Sequence, residues 1–138
     1  MSSKSPMNVQ TIIGIALTCA VVAVLLLDAT MQFVAPAPLV QAMKETGFDP
    51  SIGPQLAVIM AICAVTLAIP STAVLGAILT TAFLGGAIAV HVRIGEFAAG
   101  SQIFCVILGA AAWGGVYLRN ARLREVLPFR RSAAAVSA

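Results

Sequence analysis

Six polar side chains stand apart in a sequence that otherwise offers little chemistry: Asp28, Gln32, Lys44, His91, Arg93 and Glu96. Asp28 and His91 bring together a carboxylate and an imidazole, groups that move protons near neutral pH, and they are the catalytic candidates. Asp28 and Gln32 lie one helical turn apart and so share a face. Arg93 and Glu96 follow His91 and add a cation and a second carboxylate. Gathered at one place, the six residues would make a ligand pocket with an acid, a base and countercharges. An Asp28–Arg93 ion pair is the simplest way to neutralise the aspartate, because an unpaired carboxylate among apolar groups costs several kcal/mol. The plainer alternative makes Arg93 and Glu96 ordinary boundary charges and His91 a hydrogen-bonded helix-end residue. A lone histidine without a second ligand is a poor haem site, and no His/Cys spacing suggests a metal.

These residues need elements to carry them. Asp28 ends an apolar run that starts at Thr11, and His91 ends another, STAVLGAILTTAFLGGAIAVHVRIGE, that starts at Ser71. Runs of this kind are long enough to cross the ~30 Å hydrocarbon layer as helices. With 60% hydrophobic and 9% charged residues and a mean hydropathy of +1.02, the 138-residue chain departs from soluble domains, of which about a quarter is charged. It is long enough for one domain. The net charge of +3 does not point to nucleic acid, because the cations sit mainly at the chain ends. The membrane itself is the expected partner. Cys19, Cys63 and Cys105 lie within apolar runs and are expected to be free thiols behaving as small hydrophobes.

Four spans follow from the pattern, at about 10–33, 53–70, 71–92 and 101–119. A basic lead before the first run imitates a secretory signal, but that run continues through Phe33 and is the first of several, so it reads as a span. Pro36 and Pro38 end it. Leu39 to Thr46 has an amphipathic pattern, with Lys44 and Glu45 turned to water and Gly47 as its stop. It is too short to span and reads as an interfacial helix between the first and second spans. Pro70-Ser71-Thr72 is a tight connection that makes the second and third spans antiparallel neighbours. In the third span Ala73, Ala77, Thr81, Gly85 and Ala89 recur at intervals of four, a ridge on which another helix could pack closely. Trp113 and Tyr117 lie in the last turns of the fourth span, where an aromatic belt is expected. The segment 128–138 is expected to be disordered. The fold class is therefore all-α, a four-helix transmembrane bundle in a single membrane domain, 1–138.

Lys4, Arg119, Arg122, Arg124, Arg130 and Arg131 flank the chain ends, whereas Lys44 and Arg93 lie in connections on the other side. The positive-inside rule then places both termini in the cytoplasm and the protein in the inner (cytoplasmic) membrane. With that orientation, Asp28 and His91 come to a similar depth near the outer boundary, and Lys44 could lid the site they form.

TAVLGAILTTAFLGGAIAVHVRIGE, followed by WGGVYLRNARLREVLP, strongly resembles the DoxX-like small membrane proteins. Their third helix typically reads like LGGAVATHVRVG, and their fourth ends like WGGLYLRDPRLRALLP. The resemblance covers about residues 10–128. This chain departs from the pattern at Gln32, where relatives commonly have a lysine, at Met60, where they have a glutamate, and at Ser71, where an arginine or other polar residue is frequent. If that lysine and glutamate pair in relatives, losing both is compatible with the fold, and a catalytic role that needs the pair is not carried over. The resemblance implies an accessory protein or subunit of a quinone-linked membrane redox system. Two alternatives stay open: a small membrane enzyme acting on a hydrophobic substrate through Asp28 and His91, or a structural oligomer held by small-residue faces. A quinone or a lipid is the ligand to expect. The sequence carries no glycine-rich phosphate loop and no nucleophile–base motif.

Overall fold

A computed structural model describes residues 8–127; the expected disordered segment 128–138, with Arg130 and Arg131, and the lead with Lys4 lie outside it. The elements are α1 (Val9–Val34), α2 (Ala37–Glu45), α3 (Gly53–Ala68), α4 (Ala73–Arg93), α5 (Gly100–Arg119) and α6 (Ala121–Val126), with a 3-10 turn at Pro50–Ile52. Four segments are long and apolar enough to cross a membrane, α3 counted together with the 3-10 turn that leads into it. The short α2 follows the first span. The protein is an all-α, multi-pass membrane bundle.

Local chemistry explains the ends of the elements. Asn8 starts α1 by accepting the Gln10 N–H on its side chain. At the other end Ala35 turns into the left-handed region, φ +49°, because Pro36 follows and cannot continue the hydrogen-bond ladder. Gly47, at φ +79°, closes the turn after α2, where a residue without Cβ is favoured. Asp49 starts the 3-10 turn by accepting the Ser51 N–H at 2.8 Å. The Ser51 backbone and hydroxyl together hold the Asp49 carboxyl below the usual carboxylate range, so this cap is intact at neutral pH and is lost as pH falls through the lowered value.

The second and third spans were expected to meet at 70 and 71. Instead α3 stops at Ala68 and α4 starts at Ala73, because Pro70 forces Ile69 into an extended conformation. The Thr72 hydroxyl then donates to the Thr66 carbonyl at 2.8 Å and ties the connection down.

α1 packs on α3 and α5, and α4 packs on the same two helices, so α1 and α4 face each other across the diagonal of a square. Successive spans run antiparallel. The square is drawn tight at the end that holds the start of α1. There Gly14 meets Gly115 so closely that a Cβ on Gly115 would lie 2.7 Å from the Thr18 hydroxyl. Gly76 presses on the backbone of Leu67, 2.3 Å from where its own Cβ would stand. Large apolar side chains such as Ile12, Ile62, Val106 and Ile107 are exposed, an exterior suited to hydrocarbon and costly in water.

The expected ridge on α4 divides. Ala73 and Ala77 are buried, but Thr81, Gly85 and Ala89 are exposed, and the face that packs is Ala73, Gly76, Ala77, Thr80 and Leu84. A strict four-residue line drifts by about 40° per step on a helix of 3.6 residues per turn, so it leaves the contact after two steps. Thr81 instead accepts the indole N–H of Trp113 at 2.9 Å.

At the tight end Arg119 crosses from α5 and donates to the Leu67 carbonyl at 2.6 Å, satisfying an acceptor left open where α3 stops. Arg119→Met keeps the apolar stem but strands this carbonyl. It is expected to lower stability by about 1–2 kcal/mol, read as a fall in the thermal unfolding midpoint of the detergent-solubilised protein.

Candidate functional site

The opposite end of the bundle is open. At Gly86 a Cβ would meet nothing within 4 Å, and the space there is a cavity of about 850 Å³. Its walls come from the end of α1, from α2, from the start of α3, from the second half of α4 and from the first half of α5. Leu25, Met60, Phe83, Leu84, Phe104 and Leu108 make most of the interior apolar.

Three of the six polar candidates line this cavity: Asp28, Gln32 and His91. The periodicity of α1 accounts for the first two. Val21, Leu25 and Ala29 point into the bundle, and Asp28 and Gln32 flank that line on one side. α1 is held there by a close approach, since a Cβ on Gly53 of α3 would lie 2.7 Å from the Gln32 carbonyl. The side-chain oxygen of Gln32 is buried and has no hydrogen-bond partner. Among the described residues nothing hydrogen-bonds or ion-pairs with the Asp28 carboxylate.

His91 is differently placed. Its Nδ1 lies 2.6 Å from Glu96 Oε2, just beyond the end of α4. An ionised carboxylate only accepts, so the proton of this bond sits on Nδ1 and Nε2 becomes the free acceptor of the neutral ring. Glu96 is fixed in turn, because Gln102 donates to the Glu96 carbonyl at 2.7 Å and accepts the Ala99 N–H at 3.1 Å.

The expected Asp28–Arg93 pair does not form. Arg93 lies two residues past His91, well round the helix from the cavity side, and its guanidinium donates to the Thr46 carbonyl at 2.9 Å. That bond ties the turn after α2 to the end of α4. Lys44 is exposed on α2 and does not line the cavity, and neither do Arg93 or Glu96. The six residues therefore separate into three that line the cavity, with Asp28 exposed and Gln32 and His91 half-buried, one that orients His91, one that fastens α2, and one that faces outward.

Sequence reasoning missed Gln102, whose burial and two bonds organise the connection that carries Glu96. Its signal was a polar residue at the third position of a helix, where a side chain can reach back to the free N–H groups of the first turn. It also missed the aromatic walls, Phe83 and Phe104, because apolar residues in an apolar helix carry no mark of which direction they face. The three cysteines are free, with Cys63 buried and Cys105 among the cavity-lining residues.

A family model described as the DoxX-like family matches residues 16–115, a stretch that contains all six polar residues. No curated protein and no solved structure matches the chain.

Proposed function

The chain belongs to the DoxX-like family, and from that premise we propose that it binds an amphiphilic molecule of the membrane in the open end of its bundle. The observation that carries this is the cavity of about 850 Å³, apolar along its walls and polar at Asp28, Gln32 and His91. Small-molecule sites are typically of this size, roughly 300–1,000 Å³, and combine apolar walls with a few polar groups. The buried, unpartnered oxygen of Gln32 supports the same reading, since such an atom in a packed interior costs about 1–3 kcal/mol unless something bonds to it.

In this proposal the termini lie in the cytoplasm and the cavity opens near the outer boundary of the inner membrane. The clustering of arginines at Arg119, Arg122 and Arg124 supports that orientation. An accessory role in a quinone-linked redox complex is a narrower form of the proposal, in which the apolar walls hold an isoprenoid tail. An enzymatic form uses His91, held by Glu96, as the base. Self-association is the third form, and the outward-facing Thr81, Gly85 and Ala89 are the residues available to it.

The test is native mass spectrometry of the gently solubilised protein, followed by identification of whatever is released. A stoichiometric apolar-tailed molecule is the expected result. A quinone would select the redox form, and a bare protein mass at every detergent mildness would contradict the proposal.

A further inference from the structure

The polar end of the cavity has a definite sign. No lysine or arginine is among the residues that line it, and Asp28 is the acidic group there. The two cations on neighbouring segments are otherwise placed: Arg93 is held on the Thr46 carbonyl, and Lys44 is exposed on the outer side of α2. The Thr46 hydroxyl, also at the cavity, is turned back onto the carbonyls of Ala42 and Met43. What remains unengaged there includes three acceptors, the Asp28 carboxylate, the buried Gln32 Oε1 and, in the neutral ring, His91 Nε2 once Glu96 has taken Nδ1, beside the donors of the Gln32 amide and the Ser101 hydroxyl.

A carboxyl facing apolar walls either takes up a proton or finds a compensating charge, and buried acceptors call for donors. The side chains lining this place supply no lysine or arginine, and their free donors are neutral. We propose that the occupant of the cavity supplies both charge and donors, as a protonated primary amine at the head of an apolar chain, seated on Asp28 and Gln32. An ammonium carries three donors and no acceptor, which suits these acceptors, and its bond to a carboxylate is of the strong, charge-assisted kind. A carbonyl-headed molecule would bring no cation to set against Asp28. The inference rests on the amphiphile reading above and narrows it to a head group. The amine has two possible sources, an aminolipid of the bilayer or a free long-chain amine.

The experiment compares hexadecylamine, hexadecanol and methyl hexadecanoate, three probes with one tail and different heads, on the full chain in phosphatidylcholine nanodiscs. The wild type is set against Asp28→Asn in the same membrane, so that simple partitioning cancels. Hexadecylamine is expected to bind at least about 10-fold more tightly than hexadecanol, and the ester most weakly. In Asp28→Asn the advantage of the amine should shrink to about 3-fold or less, while hexadecanol binding stays within about 3-fold of wild type and so reports an intact cavity. Adding phosphatidylethanolamine to the nanodisc separates the sources: competition with hexadecylamine identifies the bilayer lipid, and its absence identifies the free amine. Equal or tighter binding of the ester, or an amine preference unchanged in Asp28→Asn, overturns the head-group assignment while leaving an amphiphile cavity standing. Failure of all three probes to bind overturns the cavity reading and this inference together.

Discussion

Gly76→Ala is expected to cost about 3 kcal/mol or more, and Gly76→Val to prevent recovery of folded protein. The reason is a backbone contact. The added Cβ would lie 2.3 Å from the Leu67 nitrogen and 2.4 Å from its Cα, and neither atom can rotate away as a side-chain tip could. α4 would have to move off α3 just after the tight Ile69–Thr72 connection, which leaves little slack. Gly85→Ala is the opposite experiment on the same helix. Its Cβ meets nothing within 4 Å, and replacing a mid-helix glycine with alanine is worth up to about 1 kcal/mol in helix propensity. The check is the thermal unfolding midpoint and monodispersity in detergent: a large loss for position 76 and no loss or a slight gain for position 85.

Gly86→Phe should leave the bundle folded and empty its open end. Gly86 lines the cavity and has open space where a Cβ would stand, so the benzyl group enters volume that no protein atom occupies. Filling such space with an apolar ring does not disturb the packed core of Leu25, Met60, Leu67 and Val116. A ligand that needs the same volume would be excluded, and we expect its affinity to fall by about 10-fold or more, the equivalent of losing roughly 1.4 kcal/mol of contact. Equilibrium binding of an apolar-tailed probe, with the unfolding midpoint measured alongside, checks both halves. Unchanged binding would mean that the probe sits on the outer surface of the bundle.

The spans, the proline-terminated ends and the order of the helices were legible in the sequence because hydropathy and backbone restriction act locally. Counting residues along antiparallel helices fixes depth, and Asp28 and His91 both line the cavity. What depth cannot fix is rotation. Arg93 lies at the same level as the cavity but points away from it, so the pair drawn between Arg93 and Asp28 failed on azimuth. The ridge on α4 failed in the same way, by drifting round the helix until Thr81, Gly85 and Ala89 left the contact. Gln102 and the bond between Trp113 and Thr81 belong to a third kind, polar contacts set by how close two helices come, which no spacing within one helix reveals.

The most direct measurement is site-specific photocrosslinking in native membranes, with a benzophenone amino acid placed at Phe83, on the cavity wall, and at Val106, which is 61% exposed on the outer surface. The result expected is one dominant adduct from position 83, an apolar-tailed molecule of defined mass, against a spread of bulk lipids from position 106. The same bulk-lipid spread from both positions would contradict a selective binding cavity at this end of the bundle.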